Sequence, residues 1–151
     1  RVASFNRAMV QLPGLAHRIS AEALRDKVQR LPVLRRLLLR AVQEALAQIA
    51  QTAACNSRHG LTERCARWLL MAHDRIDGDD LPLRQEFLSI MLAVRRPGVT
   101  MAIGALQAAG HIQHHRGRVV ITNRTGLESA TCECYARLRN FQANQTELQA
   151  V

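Results

Sequence analysis

Leu83 to Thr122, LRQEFLSIMLAVRRPGVTMAIGALQAAGHIQHHRGRVVIT, is the stretch whose reading decides the fold. Phe87, Leu88, Met91 and Leu92 repeat at the spacing of one helix face, which predicts a short helix from about Arg84 to Leu92. Ala93-Val94-Arg95 reads as a turn into a second helix. Pro97 suits its first turn, where a backbone N–H has no intrahelical acceptor to lose. Val99, Ile103 and Leu106 fall at i, i+4 and i+7 and form the inward stripe of that helix. Gly110 lies just past the last periodic residue, as a helix stop does. Ile112–His114 and Arg118–Thr122 then pair as a hairpin around Arg116-Gly117. Two helices across a tight turn, followed by a basic hairpin, make a winged helix-turn-helix. Such a unit can lay its second helix in the major groove of DNA and brace it with the wing on the phosphates.

The outward side of the second helix carries Arg95, Arg96, Gly98, Thr100 and Met101, followed by the small residues Gly104, Ala105 and Ala108. Small side chains permit close approach to a groove, and a bidentate arginine on guanine provides about 1–3 kcal/mol of discrimination. His115, Arg116 and Arg118 make the hairpin tip basic, which suits phosphate contact.

The bulk composition agrees with a polyanionic partner. The 151 residues carry 21 Lys+Arg against 12 Asp+Glu, a net charge of +9, and all but Lys27 of the cations are arginine. Arginine is the residue best matched to bidentate contact with phosphate and guanine. Charge by itself does not separate nucleic acid from an anionic membrane or an acidic protein. A hydrophobic fraction of 48% suffices for a packed core. No apolar run approaches the ~18 residues needed to span a bilayer, and no secretory signal opens the chain, so a cytoplasmic location is expected. The sequence starts at Arg1 without a methionine, so a further portion upstream is expected.

Upstream of the deciding segment, Arg7-Ala8-Met9-Val10 and Leu15-Ala16-His17-Arg18-Ile19 predict two strands around a turn at Pro13-Gly14. Two strands are too few for an independent sheet, which makes them the end of a larger β-rich domain. Ser20 is a good N-cap for a helix near Ala21–Arg30. A longer helix is expected from about Pro32 to Arg58, with an apolar row at Leu34, Leu38, Ala41/Val42, Ala45, Ile49 and Thr52, widened by Leu37 and Leu46. This row is either the core side of a single domain or the seam of a two-stranded helical dimer. Gly60 ends that helix. Leu61–Asp74 forms the next, with Trp68, Leu69 and Met71 as core candidates, and Asp77-Gly78-Asp79-Asp80 is a loop whose acidic groups repel phosphate. Thr125 is the expected cap of a last helix running from Gly126 towards Phe141, followed by a polar tail.

The four cysteines, Cys55, Cys65, Cys132 and Cys134, lack the spacing of a disulfide framework and read as free thiols. Cys132 and Cys134 lie at i and i+2 on the expected last helix, where side chains point roughly 200° apart, so the two thiols are not expected to chelate one ion. Cys55 and His59, at i and i+4, supply only two ligands. No metal site is therefore expected. No Ser/His/Asp set, carboxylate pair or glycine-rich phosphate loop occurs at usable spacing, so no enzyme activity is expected.

Trp68-Leu69-Leu70-Met71, LPLRQEFLSIMLAVRRPGVT, the hairpin and TGLESATCECY together resemble the Crp/Fnr family of bacterial transcription regulators. The resemblance covers essentially the whole chain and is strongest from Arg64 to Tyr135. It implies a mainly α fold with a small β wing. Residues 1–30 would be the end of a cyclic-nucleotide-binding-type β-roll sensor domain, residues 31–60 the dimerisation helix, and residues 61–151 the winged helix-turn-helix. It also implies base reading at Arg96, Pro97 and Met101, a homodimer on a palindromic operator in double-stranded DNA, control by an effector, and RNA polymerase as a candidate further partner. Well-known cyclic-AMP-binding members carry polar or charged residues where this chain has Pro97 and Met101, so a different operator is expected. The family's phosphate-binding Arg-Ser/Thr-Ala matches only Arg1-Val2-Ala3, shifted by one residue, and the adenine-reading polar pair falls near Ile49-Ala50. Cyclic AMP is accordingly not the expected effector, and no cofactor is evident. Two other readings remain: a winged-helix module that binds an acidic protein surface, and a metal or redox sensor built on Cys55 and His59.

Overall fold

The computed structural model describes residues 9–147. The motif comparison at Arg1–Ala3 and the start of the expected first strand lie outside the described residues. Ser20 caps α1 (Ala21–Arg30), its hydroxyl accepting from the Ala23 N–H at 3.1 Å. Pro32 opens α2, which runs unbroken to Arg58 and extends about 40 Å. α3 (Leu61–His73) begins after Gly60, whose N–H donates to the Glu63 carboxylate at 2.8 Å. α4 (Gln85–Leu92) and α5 (Arg96–Ala108) meet at a bend of 103°, the angle of a helix-turn-helix. Ala93 makes the corner in the left-handed conformation, φ 53°.

The wing is a three-stranded antiparallel sheet. β2 (Ile112–His115) pairs with β3 (Arg118–Ile121), and β1 (Asp80–Leu81) adds to the outer edge of β3 in the order β1-β3-β2. Ile112 stands opposite Ile121 and His115 opposite Arg118. The two-residue turn has positive φ at both positions, 47° at Arg116 and 79° at Gly117, which matches the right-handed twist of the strands. β1 differs from the expected loop: Asp80 lies in the sheet opposite Val120.

The core sits between α3, α5 and the sheet. Leu69, Leu70, Leu81, Leu88, Val99, Leu106, Ile112, Val119 and Leu127 are almost completely buried, so the stripe Val99–Ile103–Leu106 faces inward as its spacing requires. Each such side chain contributes about 1.5–3 kcal/mol of burial free energy. Trp68 and Phe87 close the edge of this core with their rings edge-on at 5.8 Å.

Two expectations need correction. No strand forms over residues 9–20, and Leu15 and Ile19 are exposed; two short strands without further partners do not make a stable sheet on their own. The C-terminal helix is also not continuous from Gly126. Asn123, not Thr125, caps α6 (Arg124–Ser129) by accepting from the Gly126 N–H at 2.8 Å. The chain then turns through residues 130–133 before α7 starts at Cys134 and runs to Glu147. Arg124 ties these pieces together, donating to Asp74 at 2.7 Å and to the Tyr135 hydroxyl at 2.7 Å, while Tyr135 also donates to Asp74.

α2 shows how the apolar row is used. Leu34 and Leu38 are half-buried, and the Thr52 hydroxyl accepts from buried Arg67 at 3.4 Å, so these three are not on the free face. Ala41 and Ala45 are exposed, as is Ile49 at 65%. The large apolar residues of α2 left in solvent are Val33, Leu37, Leu39, Val42, Leu46 and Ile49, of which the last four recur at intervals of three and four. The free stripe is thus rotated from the one expected, because the Thr52 side packs against α3.

Candidate nucleic-acid interface

The start of α5 determines what this surface offers. Arg95, Arg96, Pro97 and Thr100 are exposed there, and Met101 is 73% exposed. No side chain caps the helix; Pro97 has no N–H and the Gly98 and Val99 amides donate to the Arg95 carbonyl, so the positive end of the dipole is what this helix start offers. The Thr100 hydroxyl lies 3.2 Å from the Arg96 carbonyl and 3.3 Å from Gln85 Oε1, which links α5 to α4. Gly104, Ala105 and Ala108 keep the outer face low along its length.

Between α4, α5 and the wing lies a cleft of about 420 Å³ lined by Arg84, Gln85, Glu86, Arg96, His114, Arg116 and Gly117. Its cationic wall is built from three elements. Arg84 precedes α4, Arg96 opens α5, and Arg116 tips the wing. Among the described residues, the side chains of Arg84, Arg95, Arg96 and Arg116 take no hydrogen bond or ion pair, so their donors are available to an anion. Gly117 approaches Arg84 so closely that a Cβ there would stand 3.3 Å from its Cγ.

Two expected contact residues are placed otherwise. Gly98 is half-buried and faces inward, where an added Cβ would meet Leu61 Cδ2 at 3.0 Å, so its lack of a side chain serves packing. Arg118 lies on the wing but is held by Asp80, through Nε at 2.9 Å to each oxygen and Nη2 at 2.7 Å to Oδ2. The hydrogen bonds it donates to Asp80 raise its pKa further above the usual guanidinium value. The pairing follows from the unexpected β1, which sets Asp80 beside β3. That carboxylate neutralises one wing charge instead of repelling phosphate from a separate edge. Arg84 and His114 were the positions missed in the sequence. Arg84 is the N-cap residue of α4 and makes no capping hydrogen bond, and an arginine at an uncapped helix start facing a wing is a usable signal.

The cysteine reading also changes. Cys65 stands apart in the main core, and burial pushes its thiol up to about 12. The other three meet. Because residues 130–133 form a turn, Cys132 and Cys134 do not obey helical geometry, and both reach the last turn of α2. The donor atoms of Cys55, His59, Cys132 and Cys134 all lie within 4.8 Å of one another. Helical i, i+2 geometry, which would hold the two thiols apart, does not apply to them.

Residues 63–130 match the family model of the Crp-like helix-turn-helix domain. Among solved structures, the chain is similar to FixK2 from Bradyrhizobium japonicum, with 18% identity over 76% of this chain and 60% of that one and a TM-score of 0.69. It is also similar to a double mutant of CooA from Carboxydothermus hydrogenoformans, with 15% identity, 72% and 53% coverage and a TM-score of 0.63. A CRP-family transcriptional regulator from Thermus thermophilus matches at 23% identity, 74% and 55% coverage and a TM-score of 0.54. The chain thus spans 60% and 53% of the first two structures. Comparison with proteins of curated function gives no match. No single helix among the described residues is long and apolar enough to cross a membrane.

Proposed function

We propose that this chain, which carries a Crp-like helix-turn-helix domain on a fold shared with Crp/Fnr regulators, binds operator DNA as a homodimer and regulates transcription. The observation that carries the reading is the set of unpaired arginines Arg84, Arg95, Arg96 and Arg116 around the exposed start of α5. In this reading α5 enters the major groove, Arg96 reads a base edge, and Pro97 and Met101 offer apolar contact. Arg84, Arg95 and Arg116 hold phosphates, with Thr100 beside them. Arg118 contributes less, because Asp80 already occupies its fork. Gly98 acts only by letting α5 close on Leu61.

The dimer forms along α2, through Leu39, Val42, Leu46 and Ile49 with Ala45 and Ala41 flanking them. A row of exposed leucine, valine and isoleucine on a 27-residue helix is stabilised by a second copy of the same row. Residues 1–30 belong to the end of a sensor domain, whose effector shifts the relative setting of the two heads through α2. Half-sites then lie about one helical turn, ~34 Å, apart.

The test is affinity for duplex DNA as a function of salt. The reading expects a steep linear fall of log K with log salt, with a slope of several units for a dimer making about eight phosphate contacts. Binding that is weak at low salt and insensitive to salt contradicts it.

A further inference from the structure

We propose that Cys55, His59, Cys132 and Cys134 form a structural site for one tetrahedral divalent metal ion of the zinc class, joining α2 to the α6–α7 turn. The geometry suits a single ion. A tetrahedron with metal–sulfur bonds of about 2.3 Å and a metal–nitrogen bond of about 2.0–2.1 Å places its donors about 3.5–3.8 Å apart. Cys55 Sγ and Cys132 Sγ are 3.5 Å apart, and Cys134 Sγ is 3.5 Å from His59 Nδ1. All four donors fall within 4.8 Å of one another. An iron–sulfur cluster interposes its own atoms and holds its ligands farther apart, so this spacing favours a mononuclear ion.

The surroundings are those of a ligand set. With Nδ1 turned to the thiols, His59 Nε2 faces the Glu133 carboxylate at 3.3 Å, a partner that fixes the ring and its tautomer. Gln51 Nε2 donates to Cys134 Sγ at 3.0 Å, as amide groups do to bound thiolates. Three thiolates, a neutral imidazole and a divalent ion carry a net charge of −1. The only buried charged residue among the described ones, Arg67 at 3% exposure, reaches Thr52, three residues before Cys55, and has no carboxylate partner and an unsatisfied Nε. Its charge balances that of the loaded site. Cys55, Cys132 and Cys134 are at most 5% exposed, which suits a closed structural site with no open position for substrate. Sulfur-rich donors select zinc over magnesium or calcium. This proposal is independent of DNA binding.

The test uses the full chain, purified under reducing conditions without chelator. Elemental analysis should find one zinc per chain. After metal removal, cobalt(II) should give the strong visible bands and thiolate charge-transfer absorption of a tetrahedral thiolate site, displaced by zinc. Zinc at 100 times its dissociation constant should raise the Tm by about 5–10 °C. Cys134→Ser and His59→Ala should weaken cobalt binding strongly, while Cys65→Ser leaves the spectrum unchanged. Should the ligand variants fail to fold, the cobalt spectrum of the unaltered chain decides alone. Absence of stoichiometric metal together with no charge-transfer absorption overturns the proposal. So does a Cys55–Cys132 disulfide formed in air by a protein that binds no metal when reduced.

Discussion

Replacing Arg96 by alanine separates base reading from simple attraction. Arg96 is the first residue of α5, is exposed, and takes no side-chain partner among the described residues. Its removal strands no buried group, and alanine is at least as good a helix former. Folding stability should therefore change by less than about 0.5 kcal/mol. The whole effect should then appear in the complex. A lost bidentate contact to guanine costs about 1–3 kcal/mol, roughly a five- to 150-fold loss of preference at one base pair in each half-site. Because the dimer makes the contact twice, the full operator loses about 2–6 kcal/mol of affinity. Arg96→Lys keeps the charge without the fork, so it should lose nearly the same preference. The assay is competition between the preferred duplex and all single-base variants, at several salt concentrations. Were Arg96 only a phosphate contact, both halves of this expectation would fail. Every sequence would weaken equally, the lysine variant would behave as the parent, and the salt slope would fall by about 0.9 per protomer.

Other perturbations address the scaffold. Gly126→Ala puts a Cβ 2.4 Å from His111 Nδ1 and 2.7 Å from Asn123 Nδ2, displacing the α6 cap; denaturant unfolding should show a loss of about 1–3 kcal/mol. Leu46→Asp or Ile49→Asp, on the exposed row of α2, should leave a folded monomer by light scattering, with operator affinity reduced at least about tenfold. An unchanged dimer would move the seam elsewhere. Burial raises the Cys65 thiol from 9.0 to about 12, so its neutral form is retained in the fold while the unfolded chain ionises. Its contribution to stability is complete below pH 9 and is lost as the pH rises towards 12, and Cys65→Ala should flatten that alkaline decline in pH-dependent unfolding curves.

Much of this molecule is legible in the sequence because local rules agree there. Pro32 and Ser20 fix helix starts, Gly110 fixes a stop, and Val99, Ile103 and Leu106 repeat at the helical period, so helix bounds and the inward stripe follow. What is not legible depends on partners distant in sequence. β1 is two residues long and exists only because β3 offers an edge, and that pairing is what ties Arg118 to Asp80. Gly98 reads as an open surface position until Leu61 is known to lie against it. Which side of α2 is covered depends on its packing against α7, with Gln51 reaching Cys134 across 83 positions, and on Arg67 reaching Thr52 across 15. The cysteine cluster joins residues more than 70 positions apart, and it becomes possible only where a turn interrupts what reads as one helix.

Selection of binding sites from a random duplex pool tests the central claim most directly. The account predicts a two-fold symmetric motif with half-site centres about one helical turn apart, and a G·C pair in each half-site whose preference disappears with Arg96→Ala. Enrichment of no motif, or of a single unrepeated half-site by a protein that remains monomeric, would contradict it.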